Sequence, residues 1–239
     1  SPAGLINTAA WTAEGDQDSA WFGSSVATAG DVNGDGYSGV FGAAVFYDNG
    51  ETDEGRAYLY YGGAAGLATS PAWTAEGNQA SAKFGFSAGT AGDVNGDGYA
   101  DVIVGANAYG NGQGGEGRAF LYTGSAAGLS ASPAWTAESD QGNAQFGYSV
   151  ATAGDVNGDG YADVIVGSLN YANPENTDGR AFVYAGSAAG LSAGAVWTAE
   201  SDQAGGLLGC SVATAGDVNG DGYADVIVGA RGYDNGQTD

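Results

Sequence analysis

Four copies of a short oxygen-rich loop carry the clearest chemistry in this sequence. Each copy reads Asp-Val-Asn-Gly-Asp-Gly-Tyr plus two further residues, and the copies begin at Asp31, Asp93, Asp155 and Asp217, 62 residues apart. Side-chain oxygens at the first, third, fifth and ninth positions, with the backbone carbonyl of the seventh, are the ligands that a hard cation such as Ca²⁺ takes. The second glycine permits the sharp turn that brings them together. The motif therefore predicts a calcium loop in every copy.

The first copy differs from the others because Gly39 stands at the ninth position. We expect up to four Ca²⁺ ions, with the first site weaker and completed by water. An EF-hand begins alike but needs Glu at the twelfth position, where Val104 stands. The alternative is a set of ion-free, Asx-rich hairpin turns, although the carboxylates of so short a loop would repel one another. The predicted ligands are Asp31, Asn33, Asp35 and Tyr37; Asp93, Asn95, Asp97, Tyr99 and Asp101; Asp155, Asn157, Asp159, Tyr161 and Asp163; and Asp217, Asn219, Asp221, Tyr223 and Asp225.

The 62-residue period extends beyond the loops, which indicates an array of equivalent structural units. It includes Trp11, Trp73, Trp135 and Trp197; Tyr47, Tyr109, Tyr171 and Tyr233; and Arg56, Arg118 and Arg180. We predict one repeat domain over residues 1–239, complete in itself or a segment of a larger propeller. Its copies lie at approximately 1–62, 63–124, 125–186 and 187–239, and the last lacks the equivalent of residues 54–62.

Each copy contains four short strand-like runs, with Gly, Asn and Asp at the joints. In the second copy we predict strands at 87–94, 100–106, 118–123 and 134–138. The apolar run after Asp101 is typical of a strand buried on both faces. No stretch shows helical periodicity. The pattern predicts an all-β fold, a β-propeller of four-stranded antiparallel blades with about four blades in this chain; a β-helix is the alternative, although its repeats are shorter.

The order of motifs in each copy resembles the FG-GAP repeat of integrin alpha subunits and their bacterial relatives. In the second copy this order is Phe84-Gly85, the loop region 92–101 and Val-Ile-Val-Gly-Ala at 102–106. The resemblance covers essentially the whole chain, although Leu208 replaces Phe in the fourth copy. The final Pro of the motif is replaced by Ala44, Asn107, Leu169 and Arg231. The resemblance implies a propeller with calcium in the hairpin between the inner two strands of each blade; integrin-type propellers have seven blades.

Charge restricts the partners of this chain. It has 28 acidic and five basic residues, a formal charge of −23. Nucleic acid and anionic membrane surfaces are poor partners for such a field. No apolar run approaches 18 residues, so we expect no membrane insertion. We infer a secreted or cell-surface location, because weak calcium sites fill only where calcium is millimolar.

The residue inventory favours a binding module over an enzyme. The chain has no His and one Lys, and Cys210 lacks a base partner, so that a small buried apolar role is expected for it. We favour an extracellular adhesion, assembly or surface-display module without catalysis. Its partner is a protein or glycan on a cell surface, or further copies of the chain. The alternative is a lectin-like glycan-binding propeller; a glycan- or lipid-acting hydrolase with a carboxylate pair is the weakest candidate.

Repeated side chains outside the loops have their own interpretations. The Trp row packs between blades or stacks on sugars. The Arg row is expected to pair with nearby carboxylates such as Glu54 or Glu116, whereas the Tyr row begins the most variable stretch, which suits binding loops. Trp21 breaks the period and is expected to be exposed.

The incomplete fourth copy predicts an incomplete blade. Its first two strands are expected at 211–218 and 224–230, and its outermost strand at 9–14, as in propellers that close by pairing the chain ends. The third strand is absent, and an exposed strand edge recruits other chains. We therefore predict that the chain is not a self-sufficient monomeric ring, and that a neighbouring chain or residues beyond 239 complete the blade.

Overall fold

The computed structural model describes residues 7–172 and 177–236, and these contain fourteen β-strands and no helix. No segment of this described part is therefore a helix long and apolar enough to cross a membrane. The strands are β1 (Phe22–Gly30), β2 (Gly39–Ala44), β3 (Arg56–Tyr60), β4 (Trp73–Glu76), β5 (Phe84–Gly92), β6 (Asp101–Ala106), β7 (Arg118–Tyr122), β8 (Trp135–Glu138), β9 (Phe146–Gly154), β10 (Asp163–Ser168), β11 (Arg180–Tyr184), β12 (Trp197–Glu200), β13 (Leu208–Gly216) and β14 (Asp225–Ala230).

The strands form four antiparallel sheets with one repeated topology. Three sheets have four strands in the orders β1-β2-β3-β4, β5-β6-β7-β8 and β9-β10-β11-β12, and the fourth is the hairpin β13-β14. We call these sheets blades one to four. The architecture is the predicted all-β propeller type, with about four blades. Predicted strand boundaries agree within about three residues in the second copy, where the first strand begins at Phe84.

A Phe-Gly pair, replaced by Leu208-Gly209 in blade four, starts each inner strand with a bulge. Between β5 and β6 the register shifts after Phe84, which pairs with Ala106 and is fully buried. Gly85 has φ +86°, and a Cβ there would lie 2.6 Å from the Cβ of Ala43 in blade one. Any other residue would therefore push the two blades apart, which is the physical reason for glycine after Phe.

The second strands of blades one to three lie in the core, whereas β14 of blade four has no buried residue. Every residue of β6 is buried, and its side chains alternate between two clusters. Val102 and Val104 pack with Phe41 of blade one, whereas Ile103 packs with Phe146 of blade three. This confirms the predicted two-sided burial, which stabilises the fold by about 1.5–3 kcal/mol for each large side chain.

The tryptophans pack between blades, as the first of their two interpretations predicted. Trp73 on β4 meets Tyr122 of blade two edge-on at 4.8 Å, and its Nε1 donates to the carbonyl oxygen of Ser130 at 3.0 Å. Trp135 makes the same contacts with Tyr184 and Ser192. Trp197 on β12 is 44% exposed, because blade four has no third strand in the described chain to provide the partner tyrosine.

The prediction of a strand at residues 9–14 is wrong. These residues are not in a strand, although Trp11 contacts Tyr60 at 4.9 Å much as Trp73 contacts Tyr122. An outer strand pairs with a third strand, and the hairpin β13-β14 has no such strand beside it in the described residues. The segment therefore packs through its side chain without joining a sheet.

The arginines pair with carboxylates, as predicted, but the two partners named from the sequence are wrong. Arg56 forms an ion pair with Glu76, not with Glu54, because the β3/β4 register places Arg56 and Glu76 opposite each other. Glu54 is buried and accepts backbone N–H groups from Asn49 and Asn78. Likewise Arg118 pairs with Glu138, not with Glu116, and Arg180 pairs with Glu200.

Three residues of the Tyr row, Tyr47, Tyr109 and Tyr171, lie against the arginines of these ion pairs. The guanidinium of Arg56 lies 4.4 Å from the ring centroid of Tyr47, whose hydroxyl accepts a hydrogen bond from Nη1 at 2.8 Å.

Trp21 is 65% exposed, as predicted. Cys210 is half-buried and not the buried residue expected, because only one face of blade four is covered in the described chain.

Candidate metal centres

The four motifs lie in the hairpin between the first two strands of each blade. We number them loop one (31–39), loop two (93–101), loop three (155–163) and loop four (217–225). Each follows an inner strand at Gly30, Gly92, Gly154 or Gly216, so all four lie at the same end of their blades. Within loop two, Gly96 and Gly98 have φ values of +74° and +89°, a conformation that glycine adopts without strain.

The first aspartate organises its loop through backbone amides. In loop two, Asp93 Oδ1 accepts from the N–H groups of Gly96 at 2.7 Å and Asp97 at 3.1 Å, and Oδ2 accepts from Gly98 at 2.8 Å. The same bonds recur in every loop. In loop four, the hydrogen bond from Gly222 and those from neighbouring amides lower the pKa of Asp217. The carboxylate therefore stays ionised, the form that binds a metal ion.

The third and fifth positions are held in the same way. Asn95 Oδ1 accepts from the N–H of Asp97 at 3.0 Å, and Asp97 Oδ1 accepts from the N–H of Tyr99 at 3.0 Å. An amide or carboxylate oxygen has two lone pairs, so each keeps acceptor capacity beyond these bonds. The loop's own backbone thus fixes oxygens at alternating positions.

The ninth-position carboxylate has a structural role that the sequence did not reveal. Asp101 is fully buried; its Oδ2 accepts from the N–H of Val94 at 2.9 Å, and its Oδ1 from that of Gly124 at 2.8 Å. It therefore connects the loop to the turn that follows β7. The sequence contains one signal of this connection, because a glycine stands at the position of Gly124 in each complete copy. A Cβ on Gly124 would overlap the carbonyl oxygen of Ala100.

The other copies show how this connection varies. Asp163 makes both bonds, to the N–H groups of Val156 and Gly186, each at 2.8 Å. Asp225 accepts from Val218 at 2.9 Å and is partly exposed. Gly39 has no carboxylate, so loop one lacks the connection.

The electrostatics of the ninth position fit a nearby cation. Burial raises the pKa of Asp101 to about 6; hydrogen bonds from Gly124 and Val94 oppose this, and the charges of Asp97 and Asp93 add to it. Burial also raises the pKa of Asp163, again with contributions from two loop aspartates. Three carboxylates therefore face one another closely enough to interact, and a divalent cation would relieve their repulsion.

The donor set is nevertheless not a cluster of carboxylates alone. Among the described residues, no group of three or more Asp, Glu, His or Cys side chains is arranged to hold a metal ion. A cation in loop two would depend also on the amide oxygen of Asn95 and the carbonyl oxygen of Tyr99. All of these donors are oxygens, which fits Ca²⁺ better than a softer metal.

The fold and these loops define a propeller-type repeat protein with cation-loop motifs. A family model described as "FG-GAP-like repeat" matches residues 93–166 and 155–228, more than half of the chain. The chain belongs to the FG-GAP-like repeat family. This confirms the resemblance drawn from the motifs.

The relatives of this chain include integrin alpha subunits. Integrin alpha-IIb of Mus musculus is 36% identical over 162 residues, which are 64% of this chain and 15% of the relative. Integrin alpha-3 of Cricetulus griseus is 34% identical over 163 residues, 66% of this chain and 15% of the relative. Integrin alpha-7 of Homo sapiens is 35% identical over 158 residues, which are 65% of this chain and 13% of the relative. The chain thus matches about one seventh of the length of these relatives.

Proposed function

We propose that this chain is an extracellular calcium-binding propeller that acts as an adhesion, assembly or surface-display module without catalysis of its own. The observation that carries the proposal is the recurrence of four oxygen-lined loops at one end of the blades. The similarity to integrin alpha subunits supports a protein-binding role. Residues 1–239 then form one FG-GAP propeller or a segment of a larger one.

Different residues of each loop have different parts in holding the proposed ion. In loop two, Asp93, Asn95 and Asp97 provide oxygens that the backbone amides already orient. The carbonyl of Tyr99 adds a neutral oxygen, and Asp101 links the loop to the turn after β7. A bound Ca²⁺ supplies positive charge that offsets the repulsion among these carboxylates. The ligand sets named from the sequence remain our proposal, with loop one the weakest.

The surface charge restricts the proposed partner. With a formal charge of −23, the protein repels nucleic acid and anionic membranes. The proposed partner is a protein or a glycan on a cell surface, or further copies of this chain. Light scattering distinguishes the last of these, because self-association gives particles heavier than the 23.4 kDa chain.

Calcium titration tests the proposal directly. In calcium-stripped buffer, calorimetry should detect three firm sites and one weaker site. EDTA should lower the Tm, because calcium stabilises the folded state that binds it. Absence of any heat of binding up to millimolar calcium would refute the calcium function, whatever the partner.

One cleft favours glycan binding as a second candidate function. It encloses about 470 Å³ between the outer part of blade one and blade two, and its lining includes Arg56, Glu76, Asn78 and Tyr122. Such donors and acceptors beside an aromatic ring suit a ligand rich in hydroxyl groups. Trp73 is already packed on Tyr122 and is not available as an open stacking platform.

A glycan array separates the two candidate functions. The lectin function predicts binding of a defined sugar that Asn78→Ala abolishes, whereas Gln113→Ala, outside the cleft lining, leaves it intact. The adhesion or assembly function with a protein or a further copy of the chain as partner predicts no glycan signal and a calcium-dependent association with that protein.

A further inference from the structure

The loops of successive blades contact one another directly. The fourth residue of loops one to three is a glycine that lies under the ring of a tyrosine from the following blade. A Cβ on this glycine would lie 2.7 Å from the tyrosine Cε1 in the pairs Gly34–Tyr99, Gly96–Tyr161 and Gly158–Tyr223. A side chain at this position would have to displace the ring, so each ring lies in direct contact with the loop beneath it.

The peptide group that follows each of these tyrosines contacts two loops. The N–H of Ala100 donates to the backbone carbonyl of Asp31, the first residue of loop one, at 3.0 Å. The carbonyl of the same peptide belongs to Tyr99 and is the seventh-position oxygen of loop two. Equivalent bonds join Ala162 to Asp93 at 3.0 Å and Ala224 to Asp155 at 2.8 Å.

A second connection runs through the turn after the third strand. The N–H of Gly124 donates to the carboxylate of Asp101 in loop two. The next N–H, that of Ser125, donates to the carbonyl of Val32 in loop one at 3.1 Å. Ser187 repeats this bond to Val94 at 3.0 Å. Two adjacent amides in each turn therefore bond to loops of two different blades.

We propose that the calcium sites of neighbouring blades are coupled, so that an ion in one loop raises the affinity of the loop in the preceding blade. Tyr99, Tyr161 and Tyr223 are the positioning residues of this coupling. A cation at the Tyr99 carbonyl polarises its peptide and strengthens the hydrogen bond from Ala100 to loop one. It also orders the ring that covers Gly34. The inference rests on the proposed calcium function and deepens it.

Loop four provides an internal reference. A Cβ on Gly220, the equivalent of Gly34, would meet nothing within 4 Å. Tyr37 provides a second reference, because no calcium loop precedes it in the described chain and a Cβ added to any loop glycine would meet no atom of its ring. Loop four thus has no following blade to couple to, and Tyr37 covers no loop.

The test uses Ca²⁺ titrated into the calcium-stripped chain, with the backbone amide signals of Gly96, Gly158 and Gly220 followed by NMR. Tyr161→Ala keeps the seventh-position carbonyl but removes the ring that covers Gly96. We expect this variant to lower the calcium affinity of loop two at least about fivefold, a typical coupling between sites. The calcium affinity of loop four should stay unchanged. The matched control, Tyr37→Ala, should leave loop two unchanged.

A second variant tests the coupling without altering a ring. Asp159→Asn removes a charged ligand from loop three. It should also lower the calcium affinity of loop two, although no residue of loop two is changed. Because coupling is reciprocal, Asp97→Asn should weaken loop three by a similar factor. Melting in EDTA shows whether each variant is folded, and a variant that does not fold is replaced by the other.

The outcomes separate the two proposals. The chain could bind calcium while neither Tyr161→Ala nor Asp159→Asn changes the calcium affinity of loop two. That result would overturn the coupling and leave the calcium function standing. An effect of Tyr161→Ala confined to its own loop three would overturn it as well. Absence of calcium binding in every loop would overturn both.

Discussion

Replacement of Asp101 by alanine should destabilise the protein even without calcium. The side chain is fully buried and accepts hydrogen bonds from the N–H groups of Val94 and Gly124. Asp225 occupies the equivalent position in blade four, where it is partly exposed and accepts from Val218. Asp225→Ala is therefore the matched control, with the same chemical change in a solvated setting.

The magnitude follows from the two amides that Asp101→Ala leaves without an acceptor in the protein. Each buried, unpaired N–H costs about 1–3 kcal/mol, or about 2–6 kcal/mol for the pair. Removal of a carboxylate whose burial already raises its pKa to about 6 offsets part of this loss. At pH 5, where the carboxyl of Asp101 is largely protonated and this offset is small, we expect a net loss of about 3 kcal/mol, which lowers the Tm of a chain of this size by roughly 6–12 °C.

Thermal unfolding in EDTA, followed by circular dichroism, measures this loss without any contribution from bound metal. Asp225→Ala should lower the Tm by less than about 3 °C, because water replaces the lost acceptor at an exposed site. Equal shifts for the two variants would refute the reasoning, since burial and hydrogen-bond number would then not decide the effect.

Further predictions concern packing, the first loop and pH. Trp135→Ala should cost about 3–5 kcal/mol in urea unfolding, because it opens a cavity between blades, whereas Trp197→Ala at an exposed site should change little; equal losses would contradict inter-blade packing. Gly39→Asp should tighten loop one in calorimetry, although its Cβ would lie 3.1 Å from Leu59 Cδ1; unchanged affinity would mean that loop one is already complete. In EDTA, acidification from pH 7 to 5 should raise the Tm, because the pKa of Asp101 is raised to about 6 in the folded chain, so that the folded state binds the proton more readily. Asp101→Ala should reduce this rise, and an identical rise in the variant would assign it to other carboxylates.

The fold was predictable because the repeat displays its own periodicity. The apolar run of β6 indicated burial on both faces, and the hairpin placement of the loops followed from the strands around them. Less predictable were features that depend on register and on neighbours distant in sequence. The partner of Arg56 is Glu76, 20 residues away, and only the β3/β4 pairing shows this. The segment 9–14 has strand-like composition, yet pairing requires a third strand beside it.

The candidate sites were predictable to the level of residue types. Alternating oxygens around glycines identify the loops in any copy. The double role of Asp101 could not be read from its position, because Gly124, its second partner, lies 23 residues further on. The contact of Tyr99 with Gly34 likewise depends on how blades stack. Such contacts between repeats are three-dimensional consequences of the spacing, which a single copy does not contain.

The glycines of the inner strands determine the curvature of the array. A Cβ on Gly105 would overlap the carbonyl oxygen of Gly147, so blades two and three approach to backbone contact near the inner edge. At the outer strands, the same blades are separated by the full thickness of an indole and a phenol, as at Trp135 and Tyr184. Each blade is thus a wedge, thin inside and thick outside. A row of identical wedges turns through the same angle at every step, so the difference in size between glycine and tryptophan sets how many blades complete a circle.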